Sequence, residues 1–85
     1  MERSAVREII LAEYVSVIAP KSGALVAMPD DETMLYDTGL DSLGFSVLMA
    51  RLQDSLEWDP FSHSATSFEP QTFGDFVSFY HNNQP

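Results

Sequence analysis

Asp41-Ser42-Leu43-Gly44-Phe45-Ser46-Val47-Leu48-Met49-Ala50-Arg51-Leu52-Gln53-Asp54-Ser55-Leu56 carries the clearest period in this 85-residue chain. Phe45, Leu48, Met49, Leu52 and Leu56 fall at i, i+3, i+4, i+7 and i+11. On an α-helix that spacing gathers them into one contiguous stripe to be buried. Gly39 suits a turn just upstream, and Asp41 or Ser42 offers the side-chain oxygen of an N-cap. Trp58-Asp59-Pro60 ends the run.

Two further stretches supply partners for that stripe. Val6, Ile10, Tyr14 and Val17 recur at spacings of four, four and three, with Ile9 and Ile18 on the flanks. This predicts a first helix over 4–18, closed by Pro20 and Gly23. Near the other end, Thr72-Phe73-Gly74-Asp75 has the spacing of a capping box, with Asp where Glu is commoner. It opens a last helix that places Phe73, Phe76, Val77 and Tyr80 on one face.

The segment from Lys21 to Tyr36 has no sustained period and reads as a long ordered loop, with one helical turn around Glu32 to Tyr36. Leu25, Val26, Met28, Met34 and Leu35 are its candidates to pin it onto the core. From Phe61 to Glu69 the chain is polar and serine-rich, enough for a loop and a short helix, and residues 82–85 are expected to fray. Strand-like alternation, internal repeats and linkers are absent. The expectation is an all-α fold, a small four-helix bundle of three main helices and one short one, with residues 1–85 as one domain.

The formal charge is −9 and the isoelectric point about 4.2. Arg3, Arg7, Lys21 and Arg51 are the only basic residues, too few for the stripe that phosphate neutralisation requires, so no nucleic acid is expected. An acidic surface suits docking on basic patches of other proteins, and equally keeps a small domain in solution. Without cysteine there is neither a disulfide framework nor a thiolate metal site. No apolar run is long enough to span a bilayer and no export signal is read, so the expectation is a cytoplasmic monomer without membrane insertion. Asp30-Asp31-Glu32 fails as a calcium loop, because Leu35 falls at the sixth place and Asp41 at the twelfth, so it reads as a solvated acidic loop and no metal site is assigned. Ser42 lacks the Gly-x-Ser-x-Gly setting of a hydrolase nucleophile, and His63 and His81 lie in polar or terminal segments, so no catalytic residue is assigned either.

Ser42 nevertheless stands out, preceded by an acid and flanked by Leu40 and Leu43 at the start of a helix. A serine there can cap the helix, and it can also be reached by another enzyme. Opposite the buried stripe, Leu43, Val47, Ala50 and Asp54 recur at helical spacing with Glu57 beside them. That face is apolar near the serine and acidic further along, which suits docking of a partner. Scattered apolar residues are also ordinary on protein surfaces.

The stretch Leu35-Tyr36-Asp37-Thr38-Gly39-Leu40-Asp41-Ser42-Leu43 resembles the phosphopantetheine attachment motif of acyl and peptidyl carrier proteins, whose core is Asp-Ser-Leu. The order of elements is similar over nearly the whole length: long first helix, extended loop, motif, second helix, short third helix, packed final helix. The resemblance implies that Ser42 accepts 4′-phosphopantetheine from coenzyme A through a separate Mg²⁺-dependent phosphopantetheinyl transferase. Asp41 would support recognition or Mg²⁺ positioning, and the arm's thiol would hold an acyl or aminoacyl group as a thioester. The implied partners are that transferase, an acyl- or aminoacyl-loading enzyme and downstream biosynthetic enzymes, with the chain itself non-catalytic.

Fatty-acid carriers usually place acids two and five residues after the serine. Here those positions are Gly44 and Val47, and Arg51 adds a positive charge. This favours a specialised polyketide or nonribosomal peptide-type pathway over fatty-acid or lipid synthesis. Gly44 costs about 1 kcal/mol of helix propensity relative to Ala, and its small size would let a partner's backbone approach. A helical adaptor without prosthetic group, using the Leu43-Val47-Ala50 face, is the alternative.

Overall fold

A computed structural model describes residues 1–22, 28–60 and 70–84, with side chains at all of these except 20–22. Helix α1 spans Arg3–Ser22, a 3₁₀ turn covers Leu35–Asp37, α2 spans Ser42–Leu56 and α3 spans Phe73–Asn82. Among the described residues there is no β-strand, and the architecture is the expected small all-α bundle. Leu25, Val26 and the short helix expected within 61–69 lie outside the described residues.

Helix α1 is longer than its sequence pattern predicts, because it runs through Pro20 to Ser22. Proline removes its own N–H donor but not those of the residues after it, so near a helix end the loss of one bond is tolerated. Its buried row is Val6, Ile10, Tyr14 and Ile18. Ile18 takes the place predicted for Val17, which is half-buried. Steps of four residues trace the oblique ridge with which helices commonly pack, and that ridge selects Ile18.

Among the described residues, helix α1 packs against α2 and α3. Helix α2 buries Leu48, Leu52 and Leu56, while Phe45 and Met49 flank them half-buried. Helix α3 contributes Phe73, Phe76, Val77 and Tyr80, the four residues its spacing selects, and also Phe79. The Phe45 and Phe76 rings meet edge-on, with centroids 5.2 Å apart, a geometry worth about 0.5–1.5 kcal/mol beyond area burial. Trp58 Nε1 donates to the Tyr80 carbonyl at 3.0 Å, so the indole is buried with its polar atom satisfied.

A short backbone seam ties the loop before α2 to the start of α3. Leu35 N donates to Gln71 O at 2.9 Å, Phe73 N to Thr33 O at 2.8 Å and Gly74 N to Asp31 O at 3.0 Å, around an antiparallel bridge between Met34 and Thr72. The seam satisfies amides in the first turn of α3 that have no partner within the helix. Thr72 and Asp75 complete the predicted capping box in both directions. A Cβ at Gly74 would lie 2.8 Å from Asp31 O, so the approach requires glycine.

Three expectations for the loop are corrected here. Met28 is exposed rather than pinned, whereas Met34 and Leu35 are half-buried. The helical turn falls at Leu35–Asp37, at the far edge of the predicted span. The acidic triplet is not simply solvated: Asp30 Oδ1 accepts from Glu32 N and Thr33 Oγ1, and Asp31 pairs with Arg7 at 2.9 Å and Arg3 at 3.1 Å. At the chain end expected to fray, Asn83 Nδ2 donates to Phe79 O and Gln84 Nε2 to His81 O, each at 2.9 Å.

Candidate functional site at the start of the second helix

The connection into α2 is fixed residue by residue. Asp37 N donates to Met34 O at 2.9 Å, and Thr38 returns both its N–H and its hydroxyl to Leu35 O, at 3.2 and 2.5 Å. The buried Tyr14 hydroxyl donates to Thr38 O at 2.6 Å. Burial pushes the Tyr14 phenol above its ordinary pKa, which keeps the donor protonated. Gly39 then turns the chain at φ +87, a backbone region that favours glycine, beside Ile18 Cδ1.

Asp41 is the N-cap: its backbone is extended and its Oδ1 accepts from Gly44 N at 2.6 Å. Of the two capping candidates in the sequence, Asp41 does the capping and Ser42 is the first helical residue. Ser42 is exposed, and among the described residues its hydroxyl has no hydrogen-bond partner. A free primary alcohol therefore stands at the positive end of the α2 dipole, where an attached anion is favoured.

The outer face has the predicted composition. Leu43 is 71% and Val47 41% exposed, and Ala50, Asp54 and Glu57 are exposed in the same row. Glu57 closes the helix in a left-handed conformation at φ 67. Gly44 differs from expectation. It is buried and its amide is held by Asp41, so it gives no open approach for a partner's backbone. The charge of Arg51 is also engaged, by Glu13 at 2.6 Å, and Ser55 Oγ donates to the same carboxylate. Arg3 and Arg7 are engaged by Asp31. The hydrogen bond from Arg7, reinforced by the charge of Arg3, holds Asp31 below the usual carboxylate range against a desolvation that works the other way.

Two residues near the site were not singled out for function by their sequence. Tyr36 is 75% exposed on the 3₁₀ turn that leads toward Ser42; its place inside the motif's lead-in was the available signal. Tyr14 carries a helical-period position and reads as core, which hides its polar contact with Thr38. Elsewhere, a cleft of about 430 Å³ is lined by Met49, Ala50, Gln53, Trp58, Asp59 and Tyr80. Among the described residues no cluster of acidic or histidine side chains could hold a metal, and no helix is long and apolar enough to cross a membrane. His81 sits in the last turn of α3 beside Asn82, and His63 lies outside the described residues. No family model matches the chain, and neither a curated protein nor a solved structure is significantly similar to it.

Proposed function

We propose that this chain is a carrier that holds acyl or aminoacyl intermediates on a 4′-phosphopantetheine arm attached to Ser42. The observation that carries the reading is the Ser42 hydroxyl, exposed and without a hydrogen-bond partner among the described residues, in an Asp-Ser-Leu sequence at the first position of α2. The local chemistry fits such a group, since the helix start favours the negative charge of a phosphodiester. Ser42 Oγ attacks the phosphate next to pantetheine in coenzyme A, forming the phosphodiester while the bond to the nucleotide breaks. Its proton passes to a base of the phosphopantetheinyl transferase. When bound, the arm supplies a terminal thiol for thioester formation. Asp41 holds the helix start and brings a carboxylate beside Ser42, where the transferase's Mg²⁺ is expected.

The loading enzyme and downstream enzymes would meet Leu43, Val47 and Ala50 first, with Asp54 and Glu57 at the far end. Val47 in place of an acid supports a specialised polyketide or nonribosomal peptide-type pathway. The chain would act in the cytoplasm as a monomer and as a substrate of enzymes rather than as one. Exposure of Leu43 and Val47 also fits a protein-binding adaptor without prosthetic group, and one experiment separates the two. The full chain is incubated with coenzyme A, Mg²⁺ and a broad-specificity phosphopantetheinyl transferase, and its intact mass is measured. One added phosphopantetheine in the parent and none in Ser42→Ala is expected. An unmodified parent, under conditions that fully load a reference carrier, rejects the carrier reading in favour of the adaptor.

A further inference from the structure

The connection between the 3₁₀ turn and α2 is packed on the core through Leu40 and meets α1 in one buried polar contact. Tyr14 is 2% exposed, belongs to the core row, and ends in a hydroxyl that donates to Thr38 O at 2.6 Å. Thr38 is itself buried, and its N–H and hydroxyl are both spent on Leu35 O. Its carbonyl, in turn, accepts from Tyr14 of α1. Gly39 follows against Ile18, one turn along the same helix, and Asp41 then caps α2. Core packing alone would be met by phenylalanine at position 14; the hydroxyl serves the connection.

We propose that Tyr14 is a positioning residue for Ser42: its hydroxyl fixes the Thr38–Asp41 connection and so sets the place of the Ser42 hydroxyl for modification. The second half of this rests on the carrier reading above. Without the donor, a buried carbonyl is left unsatisfied, and the connection is expected to relax toward water instead of keeping its geometry. A merely structural tyrosine would lower overall stability and leave the folded molecule equally good as a substrate.

The test compares Tyr14→Phe with Ile10→Val, a core change on the same helix away from the connection, at a temperature where both are fully folded. Amide hydrogen exchange and the kcat/KM of transferase-dependent modification are measured on each. Tyr14→Phe is expected to raise exchange at Gly39 to Gly44 by about fivefold relative to amides of α3, as loss of one hydrogen bond implies. It is expected to lower kcat/KM severalfold below the Ile10→Val value. Should Tyr14→Phe fail to fold, Gly39→Ala strains the same connection at φ +87 and is expected to give the same pattern. Exchange and kcat/KM matching the control overturn the proposal. A parent that is never modified, with local loosening still present in Tyr14→Phe, rejects the carrier reading and the role in modification while retaining the anchoring of the connection.

Discussion

The carboxylate of Asp41 accepts from the Gly44 amide at 2.6 Å, while the neighbouring Ser42 hydroxyl is exposed with no partner among the described residues. Substitutions at these two positions should therefore separate folding from chemistry. Asp41→Ala removes the cap and is expected to cost about 0.5–2 kcal/mol of stability. Ser42→Ala should stay within about 0.5 kcal/mol of the parent, since it deletes an unbonded group at a helical position where alanine is favourable. Urea denaturation of both variants measures the difference, and a Ser42→Ala protein less stable than Asp41→Ala would show that the hydroxyl has a structural role. Both residues were legible as capping candidates. Which one caps was not, because that depends on where the backbone leaves the extended region, and Asp41 lies there at φ −88 and ψ −178.

At the scale of the element, α2 presents two unlike faces to substitution. Leu52 is fully buried, and Leu52→Ala is expected to cost about 2–5 kcal/mol through lost contacts and the cavity left behind. Val47→Asp places a charge on an exposed turn and should change stability by no more than about 0.5 kcal/mol, while weakening loading or transfer by a cognate partner. Thermal melts of the pair decide the rotation of the helix: a marked loss of stability in Val47→Asp would mean that the carboxylate is being buried. The period made this face assignment readable in advance, because Leu48, Leu52 and Leu56 repeat without interruption. In α1 it was less secure. Val17 and Ile18 are adjacent apolar residues, and only the direction in which α1 crosses its neighbours chooses between them.

Beyond the periodic core rows, the molecule is also held by contacts that no periodicity announces. Asp31 pairing with Arg3 and Arg7, Tyr14 reaching Thr38, and the seam between 31–35 and 71–74 each join residues far apart in sequence. The acidic triplet reads as solvated because the cationic partners of Asp31 lie on α1, far away in sequence. The Asp31 contact and the burial of two phenols contribute to the pH dependence of the fold. Asp31 has a depressed pKa, so the unfolded chain binds its proton more readily, and its stabilisation is complete above the ordinary aspartate range and lost as pH falls below about 4. Tyr14 and Tyr80 have raised pKa values, the first through burial and the second through burial followed by the charge of Asp59. Their contribution is complete below the ordinary tyrosine range and lost as pH rises past about 10. Melting temperature followed across pH should fall at both ends, with Asp31→Asn lowering the plateau and flattening the acid side. An acid side unchanged in Asp31→Asn would assign it to other carboxylates.

Gly74 gives the seam a consequence for how substitution tolerance in this chain is interpreted. The atom a side chain would strike is the backbone oxygen of Asp31 at 2.8 Å, which no rotamer change can move aside. A saturation scan scored by abundance should find position 74 as restrictive as a catalytic residue, although it touches no reactant. Ser42, scored the same way, should accept most replacements. Only a scan scored by modification of the protein would reverse their ranks, so intolerance at Gly74 marks where two segments of backbone meet, and tolerance at Ser42 is what a site of covalent attachment looks like before its partner enzyme is added.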